Sequence, residues 1–244
     1  MRLTILLLVL AGNLLAGTTW VQASLIVGGT RLIYPENAKE IRVQLNNPEP
    51  RAKLAQAWVD NGNPNASPDS ADVPFLIMPP LARIEGKGTH NLRLMFTQQQ
   101  SLPKDRESLF WFNVLDIPPV DKLQTQNYLE LTYRTRIKLF YRPSALTGSA
   151  EQAAESVIWR ITRDDKGYRL KGINNGAYYV SLNSVVVIDA GKRYSQQGEL
   201  ITPAGSTEFL LPGLHALPSE KACVEYQWID DYGAIHQQRS FLQY

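Results

Sequence analysis

The feature that most constrains the fold is an alternation of apolar and polar residues with a period of two, which dominates the chain after residue 24. It is plainest between Tyr128 and Tyr141. The apolar positions there are Leu129, Leu131, Tyr133, Ile137 and Leu139, and the polar positions are Glu130, Thr132, Arg134, Arg136 and Lys138. Such alternation is typical of a long β-strand with one apolar face. No segment has the pattern of a long amphipathic helix, so the sequence predicts an all-β protein.

Shorter segments of the same kind recur along the whole chain, separated by turn clusters. Candidate strands lie at 54–59, 92–96, 109–115, 157–161, 168–173, 178–182, 185–188, 207–211, 224–229 and 239–242. About seven short strands in roughly 100 residues suit an immunoglobulin-like β-sandwich. The small-residue stretch 143–149 ends the long strand and resembles a linker, and residues 150–155 could form one or two helical turns. We therefore predict two Greek-key sandwich domains, at 24–145 and 146–244.

The first 23 residues have the three parts of a secretory signal peptide. A basic Met1-Arg2 precedes an apolar run, and the segment ends in Val21-Gln22-Ala23. A membrane anchor is the alternative, but the apolar run is interrupted at Asn13 and is shorter than the roughly 20 residues needed to span a bilayer. Cleavage after Ala23 is expected, which predicts a secreted product without membrane insertion.

Composition argues against several classes of function. The 25 basic and 23 acidic residues nearly balance, so no extended basic surface for nucleic acid is expected. Cys223 is the single cysteine and the three histidines are scattered, which predicts neither an intrachain disulfide nor a metal site. The sequence lacks a nucleophile elbow, a phosphate-binding glycine loop and a zinc-protease motif. We expect no enzymatic activity and no cofactor.

Seven segments in chain order resemble one known family. They are 29–34 (GTRLIY), 54–59 (LAQAWV), 75–83 (FLIMPPLAR), 105–114 (DRESLFWFNV) with 117–119 (IPP), 136–143 (RIKLFYRP), 174–180 (NNGAYYV) and 229–233 (IDDYG). Together they resemble the PapD-like periplasmic chaperones of the chaperone–usher pilus pathway. The resemblance implies two immunoglobulin-like domains arranged in an L around a cleft. It also implies that the protein binds pilus or fimbrial subunits in the periplasm and delivers them to an outer-membrane usher.

The resemblance further assigns roles to charged residues. Arg31 and Lys138 match the pair that grips the C-terminal carboxylate of the subunit in this family. Glu107, Arg142 and Asp231 match an ion network across the domain interface, although Asp230 stands beside Asp231 and is an alternative.

The apolar row Leu129, Leu131, Tyr133 and Ile137 has two interpretations. Periodicity alone allows it to fill the core of its own domain. The resemblance instead places Leu129, Leu131 and Tyr133 at the positions that complete the sandwich of a subunit by donating a strand. An exposed donor strand would also invite capping by a second copy of the free protein.

Two further expectations concern the kind of protein. Only nine residues, 120–128, separate the IPP segment from the long strand, a length that resembles the short-loop subgroup of the family. The alternative outside the chaperones is a secreted immunoglobulin-like adhesin or a structural pilus protein. Two complete sets of strands favour the chaperone.

Overall fold

A computed structural model describes residues 24–69, 72–119, 132–164 and 167–243. Within these ranges the regular secondary structure is all β-strand except for one short helix, and two hydrophobic cores define two domains. The prediction of an all-β, two-domain fold is confirmed. No helix in the described ranges is long and apolar enough to cross a membrane. The predicted signal peptide, residues 1–23, lies outside the described residues.

The first domain is a sandwich of two sheets. Its strands are β1 (Ile26–Val27), β2 (Arg31–Pro35), β3 (Ile41–Asn46), β4 (Lys53–Asp60), β5 (Phe75–Met78), β6 (Leu81–Ile84), β7 (Thr89–Phe96), β8 (Ser108–Ile117) and β9 (Tyr133–Arg142). One sheet has the order β1-β3-β7-β5 and the other β2-β9-β8-β4-β6. Neighbours are antiparallel except β2 and β9, which pair in parallel.

The core of the first domain forms where alternate side chains of the two sheets meet. Leu45 and Leu94 come from one sheet, Phe112 and Leu139 from the other, and all four are buried. Tyr34 ties the sheets together, since its hydroxyl donates a hydrogen bond to the Ala38 carbonyl and accepts one from the amide of Phe96 in β7. The period-two pattern therefore reflects burial of one face of each sheet.

The second domain follows a short helix, α1 (Ala150–Glu155), whose N-cap is Ser149. Its strands are β10 (Ile158–Asp164), β11 (Gly167–Asn174), β12 (Val180–Asp189), β13 (Lys192–Gln197), β14 (Leu200–Ile201), β15 (Gly205–Leu210), β16 (Cys223–Ile229) and β17 (Ile235–Gln243). The order β13-β12-β16-β17-β10-β11-β15 is continuous because β17 pairs first with β16 and then, at its last two residues, with β10. The sheet thus folds over one core that includes Trp159, Leu170 and Tyr226.

The sequence did not predict strands β1, β2, β3, β5, β6 and β14. Two further details of the second domain differ from the sequence prediction. The candidate strands 178–182 and 185–188 are a single strand, β12, whose register shifts between Leu182 and Ser184. A bulge of this kind inserts an unpaired residue and breaks the alternation, which made one strand resemble two. Strand β13 was not predicted, because its sequence KRYSQQ is polar and it pairs at the edge of the sheet.

Candidate functional site

The two domains enclose a cavity of about 370 Å³. Side chains from both domains line it, including Arg31 and Phe140 from the first domain and Tyr179, Trp228 and Tyr232 from the second. The cleft walls also carry acidic side chains, Glu107, Glu151, Asp230 and Asp231, so the charges in the cleft are mixed and not only basic.

Arg142, the last residue of β9, connects the domains through ionic hydrogen bonds. Its Nε donates to Glu107 Oε1 at 2.7 Å, while Nη1 and Nη2 donate to Asp231 Oδ2 and Oδ1 at 2.6 and 3.0 Å. Glu107 also accepts a hydrogen bond from the backbone amide of Tyr179 at 2.8 Å. The structure thus brings the three residues assigned to the interdomain network into direct contact.

Burial sets the electrostatics of this network. It raises the pKa of Glu107 despite the opposing charge of Arg142. Burial would lower the pKa of Arg142, but hydrogen bonds and charges from Asp231 and Glu107 raise it well above its ordinary value. The guanidinium therefore remains charged and neutralises carboxylates from both domains.

Asp230 has a different role from its neighbour. Its Oδ1 accepts hydrogen bonds from the backbone amides of Tyr232 and Ala234, and Oδ2 lies 2.7 Å from His236 Nε2. These contacts stabilise the turn between β16 and β17. Tyr232 stands at the tip of that turn with 93% of its surface exposed.

Arg31 and Lys138 lie directly opposite each other in the parallel pair β2–β9. Arg31 Nη1 donates to the carbonyl of Ile229 at 2.9 Å, while its buried Nε has no hydrogen-bond partner in the described ranges. Burial lowers the pKa of Arg31, opposed by the charges of Asp231 and Asp230. Arg31 lines the interdomain cavity, whereas Lys138 is not among its lining residues.

The half-buried Lys138 makes no ion pair with any side chain that the structure describes. Burial and, secondarily, the charge of Arg31 lower the pKa of Lys138 to about 8. Two adjacent cations, one of them without an acidic partner, favour binding of an anion such as a carboxylate.

Strand β9 changes its surroundings along its length. From Lys138 onward it pairs with both β8 and β2, whereas residues 133–137 pair with β8 alone among the strands of the described ranges. Tyr133 is 44% exposed, while Ile137 packs against the core of its own domain. Leu129, Leu131 and the loop 120–128 lie outside the described residues.

One group of polar residues was not predicted as part of the site. Asp60 and Asn113 are buried in β4 and β8, and Arg134 and Arg136 of β9 reach them across the outer face of the sheet. A charged or amide residue within an otherwise apolar strand is the signal that could have identified Asp60 and Asn113. Their partners could not be recognised, since the arginines resemble ordinary solvated charges.

Comparison with protein families gives two matches that together span both domains. Residues 24–147 match "Pili and flagellar-assembly chaperone, PapD N-terminal domain", and residues 152–240 match "Pili assembly chaperone PapD, C-terminal domain". The chain is 39% identical to the probable fimbrial chaperone YadV of Escherichia coli K12 over 86% of this chain and 87% of the relative. It is also 39% identical to the chaperone protein FimB/FhaD of Bordetella pertussis, over 88% and 86% respectively.

Solved structures agree with these matches. The crystal structure of the YadV chaperone superposes with a TM-score of 0.79 at 35% identity, covering 90% of this chain and all of that one. The SafB chaperone, solved in complex with the Salmonella enterica SafA pilin, is similar with a TM-score of 0.74 at 28% identity, covering 92% and 99%.

Proposed function

The chain belongs to the PapD family of pilus-assembly chaperones, and on that premise we propose that it binds fimbrial subunits by donating a β-strand to them. The solved complex of a related chaperone with a pilin supports a subunit as the partner. We further propose that the protein acts in the periplasm after removal of residues 1–23, and that it delivers its subunits to an outer-membrane usher. We also propose that the protein belongs to the short-loop subgroup of the family. In the free protein, we propose that a second copy of the chain covers the donor strand.

The observation that carries this proposal is the second edge of β9 at residues 133–137, here called the open edge, which pairs with no strand in the part of the chain that the structure describes. An unpaired strand edge presents backbone N–H and C=O groups that pair readily with another chain. Strand addition uses such an edge to form a hydrogen-bonded ladder, and the alternate side chains fill pockets in the partner. A subunit that lacks a strand would gain both a ladder and apolar side chains.

The side chains of β9 suggest where the donated face begins. Ile137 packs against the core of its own domain, whereas Tyr133 is largely free of it. We propose that Leu129, Leu131 and Tyr133 enter the subunit. Ile137 would mark the point where the apolar face returns to the chaperone.

The cationic pair stands just beyond this edge. Arg31 and Lys138 are opposite each other at the point where β2 begins to pair with β9. We propose that they bind the C-terminal carboxylate of the subunit. A chain end held at one point fixes the register of the added strand, so its side chains meet the correct pockets.

Co-purification from periplasm tests the proposed function. The protein would be co-expressed with a fimbrial subunit whose N-terminal extension is deleted, and the yield of a one-to-one complex would be measured. We expect the wild type and the control Lys192→Ala, which removes an exposed lysine of β13, to retain the subunit. Lys138→Ala is expected to lose it while remaining folded. Equal retention by all three proteins would contradict the anchor assignment, and no retention by the wild type would contradict the proposed function.

A further inference from the structure

A buried carboxylate lies beneath the outer face of β9. Asp60 is fully buried, and Arg136 grips it with two hydrogen bonds, Nε to Oδ2 at 3.0 Å and Nη2 to Oδ1 at 2.7 Å. Asn113 Nδ2 and the amide of Gly62 donate to the same carboxylate, each at 2.8 Å. Burial alone would raise the pKa of Asp60, but the hydrogen bonds from Arg136, Asn113 and Gly62 hold it below its ordinary value. Asp60 is therefore charged, and both of its carboxylate oxygens accept hydrogen bonds.

Arg134 joins the same cluster from two residues earlier. Its Nε and Nη2 donate to Asn113 Oδ1 at 3.0 and 2.8 Å, and Nη1 donates to the carbonyl of Pro64 at 2.5 Å. Its Nη2 also lies 3.5 Å from Asp60 Oδ2. Arg134 is therefore held by β8, by the carboxylate of β4 and by the loop that follows β4.

Aromatic rings support both guanidinium groups. The Cζ of Arg136 lies 4.0 Å from the ring centroid of Trp111, and that of Arg134 lies 4.8 Å from the ring centroid of Trp58. A guanidinium stacked on an indole gains cation–π attraction in addition to its hydrogen bonds. The cluster of Asp60, Asn113, Arg134 and Arg136, here called the Asp60 clamp, thus connects β4, β8 and β9 on one face.

The location of the clamp distinguishes it from an ordinary buried ion pair. Arg134 and Arg136 belong to the part of β9 that has β8 as its single strand neighbour in the described ranges. Their side chains point to the outer face, so they do not contact the opposite face, where Tyr133 is exposed and Ile137 packs against the core. The clamp can therefore hold the strand without occupying either the free edge or the apolar face.

We propose that Asp60 is a positioning residue for strand donation, holding the open-edge segment of β9 extended and in register through Arg134 and Arg136 before a subunit arrives. The inference rests on the proposed function. Ordering a backbone segment costs conformational entropy. A strand ordered in advance avoids part of that cost on binding, so the gain appears as affinity.

Amide hydrogen exchange of the free protein tests the positioning directly. The variants are Arg136→Gln and a double variant that combines Asp60→Asn with Arg136→Gln. The double variant also removes the buried charge of Asp60, so that no carboxylate is left buried without Arg136. The control is Arg93→Gln, which breaks the surface ion pair between Arg93 of β7 and Glu40, the residue before β3. We expect about tenfold faster exchange of the β8-bonded amides in residues 133–137. Residues 138–142, paired on both sides, provide an internal standard and should be unchanged, as should the melting temperature of the second domain.

Subunit capture completes the test. The same proteins are titrated with a fimbrial subunit lacking its N-terminal extension, and about tenfold weaker binding is expected for both clamp variants. Faster exchange at 133–137 together with weaker capture supports the proposal. Unchanged exchange overturns it, and so does faster exchange with wild-type affinity. If the wild type itself captures no subunit, the proposed function fails and the role of the clamp in donation fails with it. The exchange data then still show whether Asp60 orders the segment.

Discussion

Arg142 and Asp231 are joined by two parallel hydrogen bonds, Nη1–Oδ2 of 2.6 Å and Nη2–Oδ1 of 3.0 Å, that cross from one domain to the other. A bidentate pair fixes orientation as well as distance, because two guanidinium nitrogens must each donate to a different carboxylate oxygen. Arg142 is also the last residue of β9, the strand that carries Lys138 and the open edge. The domain interface and the proposed donor strand therefore share one strand, so we expect displacement of one domain to move the proposed subunit-binding segment.

Removal of the Arg142 guanidinium should be costly. Arg142→Ala leaves the buried Glu107 carboxylate without its ionic partner, and breaking a buried pair in this way costs roughly 3–5 kcal/mol. Glu107→Gln keeps the shape of the side chain and removes its charge, so it should lower the free energy of unfolding by less than Arg142→Ala does. Urea unfolding of both variants measures the difference. The exposed Arg83–Glu85 pair provides the control, since Arg83→Ala should leave the free energy of unfolding unchanged. An Arg142→Ala protein as stable as the control would contradict the structural role of the network.

Lys138 should lower the stability of the free protein at neutral pH. Burial lowers its pKa from 10.5 to about 8. Below pH 8 the folded protein therefore buries a charged ammonium group, and this reduces its free energy of unfolding. Between pH 8 and the unfolded value the folded state loses this proton first, and the cost disappears as the pH rises. Lys138→Met should therefore be more stable than the wild type at pH 7, by roughly 1–2 kcal/mol after allowance for solvent around the half-buried side chain.

The measurement for Lys138→Met is urea unfolding at pH 7 and pH 10. The stability gap should narrow at the higher pH because the wild type approaches its uncharged state. The variant should also fail to capture a subunit, which separates the binding role of the lysine from its effect on folding. A gap that is constant from pH 7 to pH 10 would show that packing, rather than charge, causes the difference.

Two residues on one face of β9 should respond in opposite ways to the same substitution. Tyr133→Glu places a charge on an exposed position and should leave the melting temperature of the first domain unchanged. If Tyr133 enters an apolar groove of the subunit, burying that carboxylate costs several kcal/mol and capture should be lost. Ile137→Glu introduces a charge against the core of the domain and should unfold it. Thermal melts beside a capture assay decide the case, and similar melting of the two variants would contradict the division of the strand.

The alternation in the sequence predicted the strands best where one face is buried and the other is solvated. Strand β9 and the buried residues Phe110, Phe112 and Val114 of β8 follow it directly. It failed at β12, where a bulge breaks the period, and at β13, which has no buried face. The causes differ, but both show that periodicity does not record pairing: β12 stays paired through its bulge, and β13 pairs without a buried face.

The candidate functional site was harder to predict from the sequence than the strands were. Periodicity could not assign Arg142 and Asp231 to each other, because they are 89 positions apart and only the fold brings them together. The Asp60 clamp was missed for the same reason, since Asp60 and Arg136 are 76 positions apart. The family resemblance supplied the interdomain set, but it offered no comparable indication for the clamp.

The last prediction concerns the core of the second domain, where Gly172 of β11 leaves space for its neighbours. A Cβ added at Gly172 would lie 2.9 Å from Ile201 Cδ1 and 2.9 Å from Trp159 Cζ3, both belonging to fully buried side chains. Gly172→Ala should therefore overpack the core and destabilise the protein by roughly 1–3 kcal/mol.

Ile201→Val removes the Cδ1 atom that the new methyl group would meet. Alone it should cost about 0.5–1.5 kcal/mol through lost packing. Combined with Gly172→Ala, it should recover part of the loss, because the two changes share one contact and contacting residues do not add independently. Urea unfolding of the wild type, both single variants and the double variant completes the thermodynamic cycle. Strictly additive costs would show that the added methyl group is accommodated by movement of Trp159 and not limited by Ile201.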